Sequence, residues 1–157
     1  MRMMKKLIAA IFLMTGLIGF NNKAEASHVA GADITYECLG GDTYRIMLNI
    51  FRDCSGIAAP STAAVNIRST CGGSANVSMA LQTAPFVIDG DTITPNSSNG
   101  AIEVSQLCPQ RITQSRCNGS GQPYPGMQQY VFIGTAILRP KCNTWTISHN
   151  VVCCRNT

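Results

Sequence analysis

Patterns that carry chemistry are scarce in this chain. It has no Cys-x-x-Cys pair, and its two histidines, His28 and His149, stand far apart. Zinc sites and dithiol redox centres are assembled from closely spaced thiolates and imidazoles, so both lack their ligands here. A cysteine nucleophile needs a base beside it, and His149 lies on an alternating apolar stretch that reads as a packed or exposed strand residue. A Gly-x-Ser-x-Gly elbow is missing, which removes the local mark of one serine-nucleophile class. Lys and Arg form no run after the first residues, so the clustered charge that phosphate binding requires is absent. No amphipathic helical stretch, internal repeat or dividing linker is legible.

The N-terminus is better defined. Arg2, Lys5 and Lys6 precede an apolar stretch over residues 7–20, and Ala24-Glu25-Ala26 supplies the small-x-small pattern recognised by signal peptidase. The stretch is shorter than the about 20 residues of a membrane span, and no later segment approaches one. A signal peptide over 1–26, cleaved after Ala26, leaves 27–157 as one module. The first residue would be Ser27 rather than a lipid-modified cysteine. Arg2, Lys5, Lys6, Lys23 and Glu25 leave with the leader, so most of the net charge of +4 belongs to it. Nucleic acid is therefore not an expected partner.

Export changes how the cysteines read. Cys38, Cys54, Cys71, Cys108, Cys117, Cys142, Cys153 and Cys154 all follow the leader, and an even set in an oxidising compartment implies a disulfide framework. Four bridges are expected. Cys108 with Cys117, and Cys54 with Cys71, flank short loops and make the natural local pairs. Cys38, Cys142, Cys153 and Cys154 would supply the other two bridges, although about 105 connectivities are open in principle. Adjacent Cys153 and Cys154 point to opposite faces of a strand, which favours different partners.

Periodicity in the mature chain is two. Ile34, Tyr36 and Cys38 alternate with polar residues, and after Gly40-Gly41 the pattern resumes with Tyr44, Ile46, Leu48 and Ile50 on one face. Two such runs around Gly-Gly predict a β-hairpin. Further strands are expected over 64–69, 76–82, 86–88, 92–94, 101–107, 129–138 and 143–152. Residues 110–126 are expected to form a long loop held by a disulfide. The class implied is all-β, a disulfide-stapled Ig-like β-sandwich after a cleaved signal peptide. Asp33 and Glu37 share a strand face and read as a solvated polar surface rather than a catalytic pair. Asp89-Gly90-Asp91 lacks the spaced oxygen ligands of a calcium loop and reads as a hairpin turn. Asn76, Asn96 and Asn118 match the N-glycosylation pattern. Tyr44, Tyr124, Tyr130 and Trp145 are candidate stacking platforms for a sugar, although core is the commoner role for such residues.

Four ordered stretches carry a resemblance: SHVAGADITYECLGGDTYRIMLNIFRDCSG (27–56), EVSQLCP (103–109), PGMQQYVFIGT (125–135) and CNTWTISHNVVCCRN (142–156). They resemble the N-terminal module of very large secreted surface proteins of gliding Bacteroidetes. In those proteins Ig-like or PKD-type repeats follow, then a gliding-motility-associated domain that directs type IX secretion. The resemblance implies a secreted or outer-surface location and an adhesive setting, with surface glycans or other surface proteins as partners. It supplies no catalytic residue, cofactor or metal ligand. The abrupt end after Cys153-Cys154-Arg155 is expected to mark a fragment. The expected function is a non-enzymatic surface module; the alternative is a secreted glycan-binding or glycan-cleaving domain.

Overall fold

Gly40, Gly41 and Asp42 take positive φ angles of 93°, 58° and 66°. Gly41-Asp42 is the turn between β1 (Val29–Gly40) and β2 (Thr43–Asp53), and left-handed geometry at both central residues matches the twist of the flanking strands. Aspartate tolerates that conformation better than most side chains because it is short and polar. The predicted hairpin is thus present, with a register shift between Cys38 and Gly40. These features come from a computed structural model that describes residues 29–150 except Asp89 and Ser97. The proposed leader, His28, Cys153 and Cys154 lie outside the described residues.

The strands that follow are β3 (Thr62–Ser69), β4 (Ser74–Leu81), β5 (Phe86–Ile88), β6 (Asp91–Ile93), β7 (Ala101–Glu103), β8 (Met127–Ile137) and β9 (Trp145–Ser148). All named pairings are antiparallel. The larger sheet runs β1-β2-β8-β4-β3-β9, with β7 also on β8, and β5-β6 form a separate hairpin.

β8 pairs with β2 from Thr43 opposite Ile137 to Asp53 opposite Met127. Its other edge takes β7 at residues 128–130 and only the last two residues of β4, Ala80 and Leu81. From that short junction β4 crosses over β8 and carries β3 and β9 into a second layer. Gly134 marks the crossing, because a Cβ there would lie 2.6 Å from Met79 Sδ and 2.9 Å from Val77 Cγ1. Strands that switch layers in this way make the corners of sandwiches. Ile46, Leu48, Ile50, Tyr130 and Phe132 from one layer meet Val65, Ile67, Val77 and Met79 from the other in a single buried cluster. The alternation read over residues 44–50 therefore identified the inward face correctly. The fold is all-β, antiparallel and disulfide-bonded.

Three expectations need correction, and the first is the strand expected over 143–152, of which β9 takes only Trp145–Ser148 among the described residues. The strand expected over 101–107 ends at Glu103; Val104 N–H still donates to the Met127 carbonyl, and beyond it Leu107 N–H bonds back to Ser105. The loop over 110–126 carries 3-10 helices at Pro109–Gln114 and Arg116–Asn118. Asp89 lies outside the described residues, while Gly90 has the positive φ (88°) expected of a turn.

Candidate functional site

Two disulfides tie the loops together, and neither is a pair expected from proximity in sequence. Cys54 bonds Cys117 and Cys71 bonds Cys142, across separations of 63 and 71 residues. The expected Cys108–Cys117 and Cys54–Cys71 bridges do not form. Pairing of β2 with β8 brings Asp53 opposite Met127, so the loop entering β8 folds back on Cys54, whose N–H bonds Gly126 at 3.0 Å. Gly126 permits that approach, since a Cβ there would meet Cys117 Sγ at 2.5 Å. Cys71, in the β3–β4 turn, meets the β8–β9 connection instead. Cys38 and Cys108 are exposed and have no sulfur partner among the described residues.

Glu103 organises the same loop. Its Oε1 accepts from Ser105 Oγ at 2.8 Å and from Ser115 Oγ, and its Oε2 accepts from Asn118 Nδ2 at 3.3 Å. Ser105 Oγ in turn accepts from Met127 N–H. Ser115 is fully buried, and a buried hydroxyl is costly unless bonded. No local signal in the sequence distinguishes it from the other serines. The Asn118 amide also donates to Ile112 and Ser115, so a glycan attached there would break this cluster. Asn76, a second acceptor candidate, donates to Asn66. Asn96 donates its backbone N–H to the Ala101 carbonyl at 2.8 Å, and Ser97 of its motif lies outside the described residues.

Asp33 and Glu37 line a strand face, and Asp42 sits in the β1–β2 turn. Asp33 accepts from Asn49 at 2.6 Å and Glu37 pairs with Arg45 at 2.9 Å, both across the β1–β2 ladder. Asn49 accepts from Gln129 on β8, extending the polar row over three strands. Asp42 pairs with Arg139 at 3.5 Å. Arg52 clamps the turn after β2 through the carbonyls of Gly56 and Ile57 and reaches Gln128 at 2.8 Å. Among the described residues, no group of three or more His, Cys, Asp or Glu is placed to hold a metal.

The aromatic residues divide. Tyr130 is in the core, and Tyr124 stacks under Arg111 at 6.0 Å. Tyr44 and Trp145 do meet, in a cleft of about 410 Å³ that also holds Ile34, Tyr36, Leu138 and Ile147. Tyr36 and Tyr44 sit edge to face at 64°, centroids 6.2 Å apart. The Trp145 ring lies against Gly73, where any Cβ would collide with it. The Tyr44 phenol is raised above its ordinary value of 10.0, chiefly by the negative charge that Cys38 carries once ionised. A second groove of about 820 Å³ opens further along, between Val29, Arg52 and Ile57 on one side and Ala64 and His149 on the other. His149 Nδ1 meets the Ala64 carbonyl at 2.7 Å. Both openings lie between β1 and the β3–β9 layer, where the two ends of the strand order face each other.

No protein-family model matches the chain, and neither does any curated protein or solved structure. Among the described residues no helix is long and apolar enough to cross a membrane. Two disulfides are compatible with a secreted or extracellular protein.

Proposed function

We propose that this chain is a non-enzymatic module secreted to the cell exterior, working as the N-terminal part of an adhesin-like surface protein. One observation carries the reading: Glu103 and four of the six cysteines among the described residues hold strands and loops in place. Glu103, Asp33 and Glu37 accept structural hydrogen bonds or ion pairs, and Cys54, Cys71, Cys117 and Cys142 cross-link loops at the ends of β2, β3 and β8. Such a framework suits a rigid display unit outside the cell. The signal-peptide pattern and the resemblance to surface proteins of gliding Bacteroidetes point the same way.

Intact cells of the source organism should be labelled by antibodies against residues 27–157, and the purified protein should begin at Ser27. Labelling that requires permeabilised cells would overturn the location. A glycan-binding role is favoured by one feature, the cleft shared by Tyr36, Tyr44 and Trp145. Its edge-to-face tyrosines differ from the coplanar row on which sugar rings stack. Turnover on a polysaccharide panel, abolished by Glu103→Gln without loss of folding, would replace the non-enzymatic reading.

A further inference from the structure

The two ends of the strand order, β1 and β9, border one open seam, and β1 is the better exposed. Along its twelve residues only Val29 and Ile34 are half-buried. It pairs with β2 on one side and with nothing among the described residues on the other. Ile34 and Tyr36 are opposite core residues Leu48 and Ile46 and so face inward, yet Tyr36 is 67% exposed. Across the cleft, Trp145 and Ile147 of β9 offer an apolar wall. No proline or lysine on β1 protects this edge, although natural sheets commonly guard long edges in such ways.

We infer that the free edge of β1 takes an extended segment of another polypeptide as an added strand, with apolar and basic residues in alternation. Backbone bonds to β1 supply affinity, and the period of two sorts the side chains. Apolar residues enter the seam beside Ile34 and Tyr36, facing Trp145. Basic residues fall on the outer face beside Asp33 and Glu37. Asp33 has a neutral partner, Asn49, so its charge is not offset, and Glu37 shares Arg45 in an exposed pair. The same charges disfavour a second copy of this chain. In an antiparallel β1–β1 pair centred on Thr35, Asp33 of each copy faces Glu37 of the other, and directly opposed like charges are destabilising.

The test uses the full secreted chain and a peptide of about ten residues, a usual strand length, alternating lysine with valine. A peptide alternating glutamate with valine is the control. The basic peptide should bind, bind more weakly as salt rises, and protect β1 amides from exchange; the acidic one should bind about tenfold or more weakly. Tyr36→Asp separates strand addition from simple charge attraction. It places a carboxylate in the seam, so strand addition is lost, whereas attraction to a surface charge would strengthen. Tyr36 is exposed, so the variant should fold, which circular dichroism checks. Stronger binding by Tyr36→Asp, or equal binding of the two peptides, overturns the proposal. So does a concentration-dependent dimer abolished by Tyr36→Asp, which would make a second copy the occupant. Outer β1 amides already protected in the unbound monomer would assign the edge to another part of this chain and likewise overturn it.

Discussion

Gly134→Ala examines the crossing of β4 over β8, on which the two-layer arrangement depends. In an open strand, alanine in place of glycine at an ordinary φ stabilises by about 0.4–1 kcal/mol, because the unfolded chain loses freedom. At Gly134 the new methyl would stand 2.6 Å from Met79 Sδ, 2.9 Å from Val77 Cγ1 and 3.1 Å from the Ser78 carbonyl. The thioether can swing aside. Val77 cannot, because its branched side chain is stiff at χ1, and Ser78 is held in the ladder opposite Ala64. Gly134 is half-buried, and overpacking against fixed neighbours costs about 1–3 kcal/mol, so the net effect should be destabilising despite the entropic gain. Urea unfolding of the oxidised protein measures it. Gly31→Ala is the internal control, since nothing lies within 4 Å of that position, and it should be neutral or slightly stabilising. Adding Val77→Ala to Gly134→Ala should destabilise less than the two single effects together. A Gly134→Ala protein at least as stable as wild type would mean that β4 does not pass over β8 there.

Three further outcomes are expected. Peptide mapping without reduction should return Cys54 joined to Cys117 and Cys71 joined to Cys142, and replacing Cys71 and Cys142 by alanine should cost about 4 kcal/mol by the loop-entropy account; recovery of Cys108 joined to Cys117 would contradict the structure. Glu103→Ala leaves the buried Ser115 hydroxyl without its carboxylate and should cost about 1–3 kcal/mol in the same urea assay, whereas an unchanged midpoint would show that the cluster is incidental. One tyrosine should titrate above 10, and Cys38→Ser should lower it, read by phenolate absorbance. The folded chain then holds that proton more tightly than the unfolded one, so this phenol removes stability as pH rises above about 10. A titration that is the same in Cys38→Ser would locate the cause elsewhere.

Much of the local structure was determined by the sequence alone. The hairpin at Gly40-Gly41 follows from the backbone freedom of adjacent residues, and the inward face of β2 follows from alternation over residues 44–50. Both signals act within a few residues, which is why they survive without tertiary information. The limits of β7 and the 3-10 turns after Cys108 were less legible, because the residues that follow Glu103 bond its carboxylate, through Ser105, Ser115 and Asn118, rather than continuing along β8.

Partnership between distant residues was decided only by the tertiary structure. Cys54 and Cys117 meet because β2 and β8 pair along their whole length, and Cys71 meets Cys142 because the β3–β4 turn reaches the connection after β8. Nearness along the chain suggested other pairs, but strand order overrode it. Ser115 became buried only once its loop folded over Glu103. Tyr130 and Tyr44 sit on paired strands, yet Tyr130 is buried in the core while the seam beside β1 leaves Tyr44 at a cleft. Alternation tells which face of a strand is apolar; what covers that face depends on strands brought together from far along the chain.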